Sequence, residues 1–480
     1  MGTTNIPNSK SANPKLLEGE WRELLGPDRW KKLFDPVDIS SLVIYRMMFG
    51  LIMIVEVIRY FNNGWIHRYW VRPEHHLTYF PFDFLAPLPE YWMYFLFYAM
   101  GVLSIFIILG LFYRFSIITF FFCFSYIFLL EQTRYLNHFY LIVLLSFVMM
   151  FLPLHKSASL DSVLFKNNRS ETAPAWTLWL MRFMVGVPYF FGGIAKINWD
   201  WLRGQPLTIW LADAMDVPVI GQYFDEHWMI LFMSYSGLLL DLLVVPLLLF
   251  KRTRIPGYLF ILLFHLLNTQ MFHIGIFPWF MIAATTIYFT PSWPRTITNW
   301  IFSGAKPWKF IAPTKAQFGS LGAYTKPQKW TLGLLAFWVA LHCLLPFRHH
   351  LYPGDVNWTE EGHRFSWHMK LRTKSGRGDF RVHDKNSGVT YRVDPRDYLR
   401  SWQRRKMRCR PYQIWQFAQI LKEDFGSRGM DVAVYADIEA SLNGRDFQPL
   451  VNPNVDLSAE PRPIFRRSHW IVPLYQPFRY

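Results

Sequence analysis

Lys196 closes an apolar run, "YFFGGIAKINWDW", where a charged group is costly enough to need a reason. One reason is ordinary: a lysine stem can lie along apolar surface while its head reaches the interface. The other is chemical. In a water-poor site an ammonium loses hydration, the neutral amine is favoured, and a neutral amine accepts a proton. Gly192 and Gly193, just before it, leave room for a ligand or a neighbouring helix against the backbone. Asn137 and His138 in "RYLNHFYL" together offer donors and acceptors suited to a phenolic or enolic oxygen. Taken singly, Asn137 reads as a helix cap and His138 as a core histidine. His265 and Asn268 in "FHLLNTQMFHIGIF" stand three apart on one helix face, with Met271 three further on. No His-Glu-x-x-His or Cys-x-x-Cys motif accompanies them, so no metal site is expected.

Other charges also lie in apolar surroundings. Arg114 reads as a turn anchor. Arg46 and Arg182 lie deeper and are expected to pair with buried acids or carbonyls, such as Glu56, Asp241 or the turn after Asp38. Towards the C-terminus, "NWTEEGHRFSWHMKL" is followed by the basic run "RSWQRRKMRCR". That run suits a solvated face, a contact with anionic headgroups, or a site for an acidic peptide.

The elements that must position these groups follow from composition. Hydrophobic residues make up 52% of the 480-residue chain and charged residues 18%, which is too greasy for an ordinary soluble domain. About nine spanning helices are expected, near 41–60, 91–112, 116–133, 136–153, 175–195, 227–250, 256–271, 274–291 and 330–346. The net charge of +16 is divided among separate loops and a basic C-terminal part, which argues against nucleic acid as a partner. With a cytoplasmic N-terminal segment, residues 1–39, the basic loops at Arg114, Lys156–Arg169, Lys251–Arg254 and Arg295–Lys326 all fall inside. An odd number of spans then carries residues 347–480 to the extracytoplasmic side, periplasmic or lumenal. The membrane domain is expected over 40–346. Beyond it, "DFRVHD", "VTYRVD" and "DVAVYADIEASLNG" alternate as β-strands, and Pro411 opens an amphipathic helix over 411–424. The fold class is therefore a membrane α-helical bundle followed by a β-rich α+β soluble domain. Three cysteines make no disulfide framework.

The order of "LFDPVDISSLVIYRMMFG", "GLFYRFS", "LNHFYL", "GGIAKINWDW", "GLLLDL", "FHLLNTQMFHIGIF", "PSWPR", "WTEEGHRFSWHM" and "VYADIEASLNGR…NPNVDL" resembles vitamin K-dependent γ-glutamyl carboxylases, with a membrane part of the HTTM type. The resemblance covers about residues 33–475. It implies an enzyme that oxidises vitamin K hydroquinone with O₂ to the epoxide and uses the base so generated to carboxylate peptide glutamate with CO₂. No side chain is basic enough to remove a γ-proton beside a carboxylate, so such chemistry has to come from a cofactor. By resemblance, Lys196 deprotonates the hydroquinone, and Asn137 and His138 attend the reactive oxygen and the carbanion. His265, Asn268 and Met271 are implied to line the quinone pocket. His363, Ser366, Trp367 and Met369 match the glutamate-recognition segment, with Arg404 and Arg405 as partners for the substrate carboxylate.

There are departures. The animal enzyme's paired lysine is Ala195-Lys196 here, its tyrosine is His363, and its disulfide cannot be carried over. The few cysteines and short ends resemble a bacterial member, for which a menaquinol-type quinol is implied. The alternatives are a quinol epoxidase or oxidase without peptide carboxylation, and a non-enzymatic membrane module that binds lipid or quinone.

Overall fold

In a lipid core every backbone N–H and C=O has to find a partner within its own segment, so the apolar runs form helices. The computed structural model describes residues 27–272, 274–301, 325–463 and 465–475. A short strand β1 (Pro36–Asp38) leads into α1 (Ser40–Asn62), α2 (Glu90–Leu109), α3 (Tyr113–Leu130) and α4 (Asn137–Met149). Strand β2 (Thr172–Pro174) precedes α5 (Ala175–Ala195), α6 (His227–Leu249), α7 (Arg254–Met271), α8 (Phe277–Thr285) and α9 (Lys326–Leu344).

All nine expected segments are helical, and they differ in length. Among the described residues, six helices are long and apolar enough to cross a membrane: α1, α2, α3, α5, α6 and α9. Helix α4 has 13 residues and α8 has nine. At about 1.5 Å per residue these reach roughly 20 and 14 Å, well short of a hydrocarbon core of about 30 Å. Both begin inside the bundle, which leaves room there for irregular backbone and polar side chains.

The deep arginines hold helix ends together. Arg46 donates to the carbonyls of Leu154, Ile108 and Ala158 at 3.0, 3.2 and 2.7 Å. Arg182 donates to those of Ile287 and Phe289 at 3.1 and 3.0 Å. Both therefore take carbonyls, and the acids offered as partners are engaged elsewhere: Glu56 with Arg59, Asp241 with Lys196. Arg114 donates to the carbonyl of Met150, as a turn anchor should. Strands β1 and β2 pair antiparallel, with Val37 opposite Ala173, and tie the start of α1 to that of α5. Arg295 clamps this joint through Asp38 and Glu171, each at 2.8 Å.

The C-terminal region contains β3 (Lys374–Asp384), β4 (Thr390–Val393), α10 (Ser401–Met407), α11 (Pro411–Ser427), β5 (Val432–Leu442) and β6 (Gln448–Pro449). The strands form one antiparallel sheet in the order β4-β3-β5-β6. Alternation sets the faces. Phe380 and Val382 of β3 and Val434, Ala436 and Ile438 of β5 turn inward onto Ile414, Phe417 and Leu421 of α11. Arg381 and Asp437, and Arg377 and Glu439, pair across the solvated face. Helix α11 begins at Pro411 as the sequence predicts.

This region is bolted to the helices. Arg445 grips Asp200 with two bonds of 2.7 Å, and Asn443 adds a third at 2.8 Å. Gln403 donates to Glu131 and to the carbonyl of His75 at 2.9 and 2.8 Å. These bonds hold the segment 356–372 between sheet and bundle, facing the ends of α4 and α5.

Candidate active site

Several residues of "GGIAKINWDW" have local tasks. Lys196 is the C-cap of α5 and is only 5% exposed. Its ammonium is paired with Asp241 of α6, itself 4% exposed, and lies 3.4 Å from the carbonyl oxygen of Gly192. The ring of Trp201 lies beneath it, 5.3 Å away. Asn198 caps the next short turn by accepting from the Trp201 N–H at 3.0 Å. Gly192 and Gly193 serve the approach of α6: a Cβ on Gly193 would lie 2.8 Å from the Leu242 side chain. A Cβ on Gly192 would lie 3.2 Å from both Asp241 Oδ2 and Met369 Cε, so Met369 reaches the same corner. The sequence reading missed Asp241 as the partner of Lys196. Its signal was present: a lone carboxylate within an apolar helix of 23 residues.

Lys196, Asp241, Asn137, His138, His265, Asn268 and Met271 all line one cavity of about 930 Å³. His138, at the start of α4, lies against the Phe277 ring at the start of α8, 5.5 Å between centroids. His265 meets the same ring edge-on at 6.0 Å. The Tyr189 hydroxyl and His265 Nε2 share a hydrogen bond of 2.8 Å, whereas His265 Nδ1 is buried without a partner among the described residues. Asn137 is no cap. The N-cap of α4 is Leu136, with no side-chain capping bond, and Asn137 is spent on a tertiary link. Its Nδ2 donates to the His368 carbonyl at 3.1 Å, and its Oδ1 accepts from the Tyr135 hydroxyl at 2.9 Å.

The other half of the cavity is walled by the C-terminal region. His363, His368, Met369, Arg372, Lys374, Arg405 and Arg410 line it. Glu360 sits among the cations; burial works against its charge, but Arg372, Lys374 and Arg410 win and hold its carboxyl below the usual range. Burial pushes Lys374 down to about 8, against the pull of Glu360. His363 is held well below its ordinary value by burial and then by Arg372, whose guanidinium donates to its Nε2. Of the expected substrate residues, His363, Met369 and Arg405 reach the cavity and Ser366, Trp367 and Arg404 do not line it. The Ser366 hydroxyl donates to the Gly362 carbonyl at 2.7 Å, and Trp367 is packed on Tyr140, 5.0 Å between centroids. Arg404 and Arg405 are neighbours on α10, so their side chains leave the helix about 100° apart. Arg372 and Lys374 escaped notice because their positions carry no intrinsic mark of a cavity, whereas Arg410 ends the basic run read as a site for an acidic peptide.

The segment itself is folded against backbone preference. Glu360, Phe365, Trp367 and Lys370 have φ of 64, 62, 59 and 49°. Each such residue costs roughly 1–2 kcal/mol and persists only where surroundings over-determine it. Here the Phe365 N–H donates to the Tyr135 hydroxyl at 2.8 Å, and Arg348 donates to the Arg364 carbonyl.

The cavity suits a flat, greasy ring with polar oxygens. Its volume lies within the range of small-molecule sites. Leu239 and Leu243 of α6 and Phe260 and Leu263 of α7 line it and are also exposed on the outer surface of the bundle, so it opens sideways between two apolar helices. The His265 ring and the Asn137–His138 pair provide polar contacts within it. Residues 34–293 match the family model of the HTTM domain, and residues 327–477 match that of the vitamin K-dependent gamma-carboxylase lumenal domain. No solved structure matches the chain. Six apolar helices among the described residues, a cavity shared between them and the basic C-terminal region, and two family models covering most of the chain lead to one conclusion: this membrane protein belongs to the vitamin K-dependent γ-glutamyl carboxylase family.

Proposed function

We propose that the chain couples oxidation of a vitamin K-type hydroquinone by O₂ to γ-carboxylation of peptide glutamate with CO₂. The single observation that carries this reading is the shared cavity. The helices line it with Lys196, Asn137, His138 and His265, and the C-terminal region with Arg372, Lys374, Arg405 and Arg410. A quinol and an acidic side chain are the two ligands such an arrangement serves at once.

The quinol, when bound and oxidised, supplies the base strength that a glutamate γ-carbon requires. Lys196 takes the phenolic proton. Asp241, bonded to it, holds its Nζ at the corner of the cavity. His138 and His265 orient the ring oxygens, and Asn268 and Met271 complete the wall. Asn137 fixes the distance between the quinol end and the peptide segment through the His368 carbonyl. Arg372, Lys374 and Arg410 meet the glutamate carboxylate with charge-assisted hydrogen bonds. Packing of Met369 against the Lys196 corner excludes water from the reacting atoms.

The test is reconstitution with reduced vitamin K, labelled bicarbonate and a Glu-rich peptide. Label in the peptide that is lost in Lys196→Ala supports the reading. A folded protein that fixes no CO₂ rejects it, and epoxide formed without CO₂ fixation points to the quinol oxidase instead.

A further inference from the structure

Three histidines outside the roles above stand in a row. His368 is 6% exposed, lines the cavity, and has a buried Nδ1 with no hydrogen-bond partner among the described residues. Its ring meets that of His349 edge-on, 4.8 Å between centroids. His349 in turn lies 4.0 Å from His350, which is exposed. His349 Nδ1 is 2.8 Å from the Pro346 carbonyl oxygen. A carbonyl only accepts, so Nδ1 carries the hydrogen and Nε2 is left as the acceptor. The contact is built in rather than incidental. Gly362 has φ +73° and lies directly on His349, where an added Cβ would come within 2.6 Å of the His349 Cα.

The stoichiometry of the proposed reaction, on which this inference rests, makes such a row useful. Hydroquinone plus O₂ gives epoxide plus water. The γ C–H plus CO₂ gives a carboxylate plus one proton. Each turnover therefore leaves one proton in a chamber whose polar groups are otherwise committed. We propose that His368, His349 and His350 form an exit that carries this proton from the cavity to solvent. Each imidazole accepts a proton on one nitrogen and gives up the hydrogen from the other, so no ring is consumed. The groups facing the row from outside it are Arg348 and Arg372, and His363, 5.1 Å from His368 between ring centroids. Burial first, then His349 and Arg372, push His368 down to about 3, so a proton arriving there is passed on rather than held.

The deciding variants are His349→Phe, which keeps a ring in the stack, and His350→Phe at the surface. Proton appearance in the medium is followed with a pH dye beside CO₂ incorporation by chemical quench. In the wild type the two should coincide. In His349→Phe, and more weakly in His350→Phe, proton release should lag behind the first turnover. Steady-state kcat should fall about tenfold with KM for quinol and peptide unchanged, and added imidazole buffer should restore it. Coincident proton release and carboxylation in both variants would overturn the exit. So would a raised peptide KM without imidazole rescue, which marks a packing role. A wild type that fixes no CO₂ would instead remove the reaction itself, and the exit with it.

Discussion

At the residue scale the centre of the molecule is a buried ion pair. Lys196 and Asp241 are each almost wholly enclosed, so neither is tolerable alone. Asp241→Asn should lower stability by about 3–5 kcal/mol, the range for breaking a buried pair, and abolish quinol oxidation. Replacing both, Lys196→Met with Asp241→Leu, should recover most of the thermal stability and none of the activity. A double variant as unstable as the single would show that the pair is held by its surroundings rather than by mutual charge. Lys374 gives a pH signature with two opposite signs. Its folded value of about 8 lies below the ordinary lysine value, so the folded state binds fewer protons than the unfolded between pH 8 and about 10.5. Stability should therefore rise with pH through that window. Binding of a carboxylate needs the ammonium, so the peptide KM should climb above about pH 8. A peptide KM flat from pH 7 to 9.5 would remove Lys374 from the substrate site.

At the element scale two short helices and a gap do the positioning. Helices α4 and α8 start within the bundle, so their first residues, Asn137, His138 and Phe277, meet at cavity depth. A full-length helix would have carried these side chains to a membrane surface. The gap between α6 and α7 lies beside the same cavity, and its exposed leucines offer an apolar path for a polyprenyl tail. Leu263→Trp, which fills that gap, should raise KM for a long-tailed menaquinol at least tenfold. The same change should leave tail-less menadiol within about twofold. Equal effects on both quinols would place the tail elsewhere.

At the scale of the whole molecule, function depends on the C-terminal region staying docked. Arg445 and Asp200 are largely buried and joined by two bonds, worth about 2 kcal/mol to the docked state for a charge-assisted pair. Arg445→Ala should therefore raise the peptide KM and speed proteolysis near residue 355, with quinol binding little changed. Exchanging the charges, Asp200→Arg with Arg445→Asp, should restore part of the loss. Orientation is testable through the β3–β4 turn. A cysteine replacing exposed Asn386 should react with an impermeant reagent from outside intact cells, in keeping with the basic loops on the other side. Labelling only after permeabilisation would invert the proposed topology.

What the sequence determined by itself is local and compositional. Apolar runs of the right length dictate helices, because lipid allows the backbone nothing else, and alternation dictates the strands of the C-terminal sheet. Lys196, Asn137, His138, His265 and Asn268 stood out because polar groups are expensive where they lie. Tertiary structure decided the rest. Asp241 becomes the lysine's partner only when α6 packs on Gly192 and Gly193, and Arg372, Lys374 and Arg410 become a wall only when the sheet docks on Asp200. Ser366 and Trp367 sit in the segment expected to recognise glutamate yet do not line the cavity, in a stretch where Phe365, Trp367 and Lys370 are left-handed. Pairings between residues far apart in the chain leave no periodic trace in either partner, so spacing along the sequence could not disclose them.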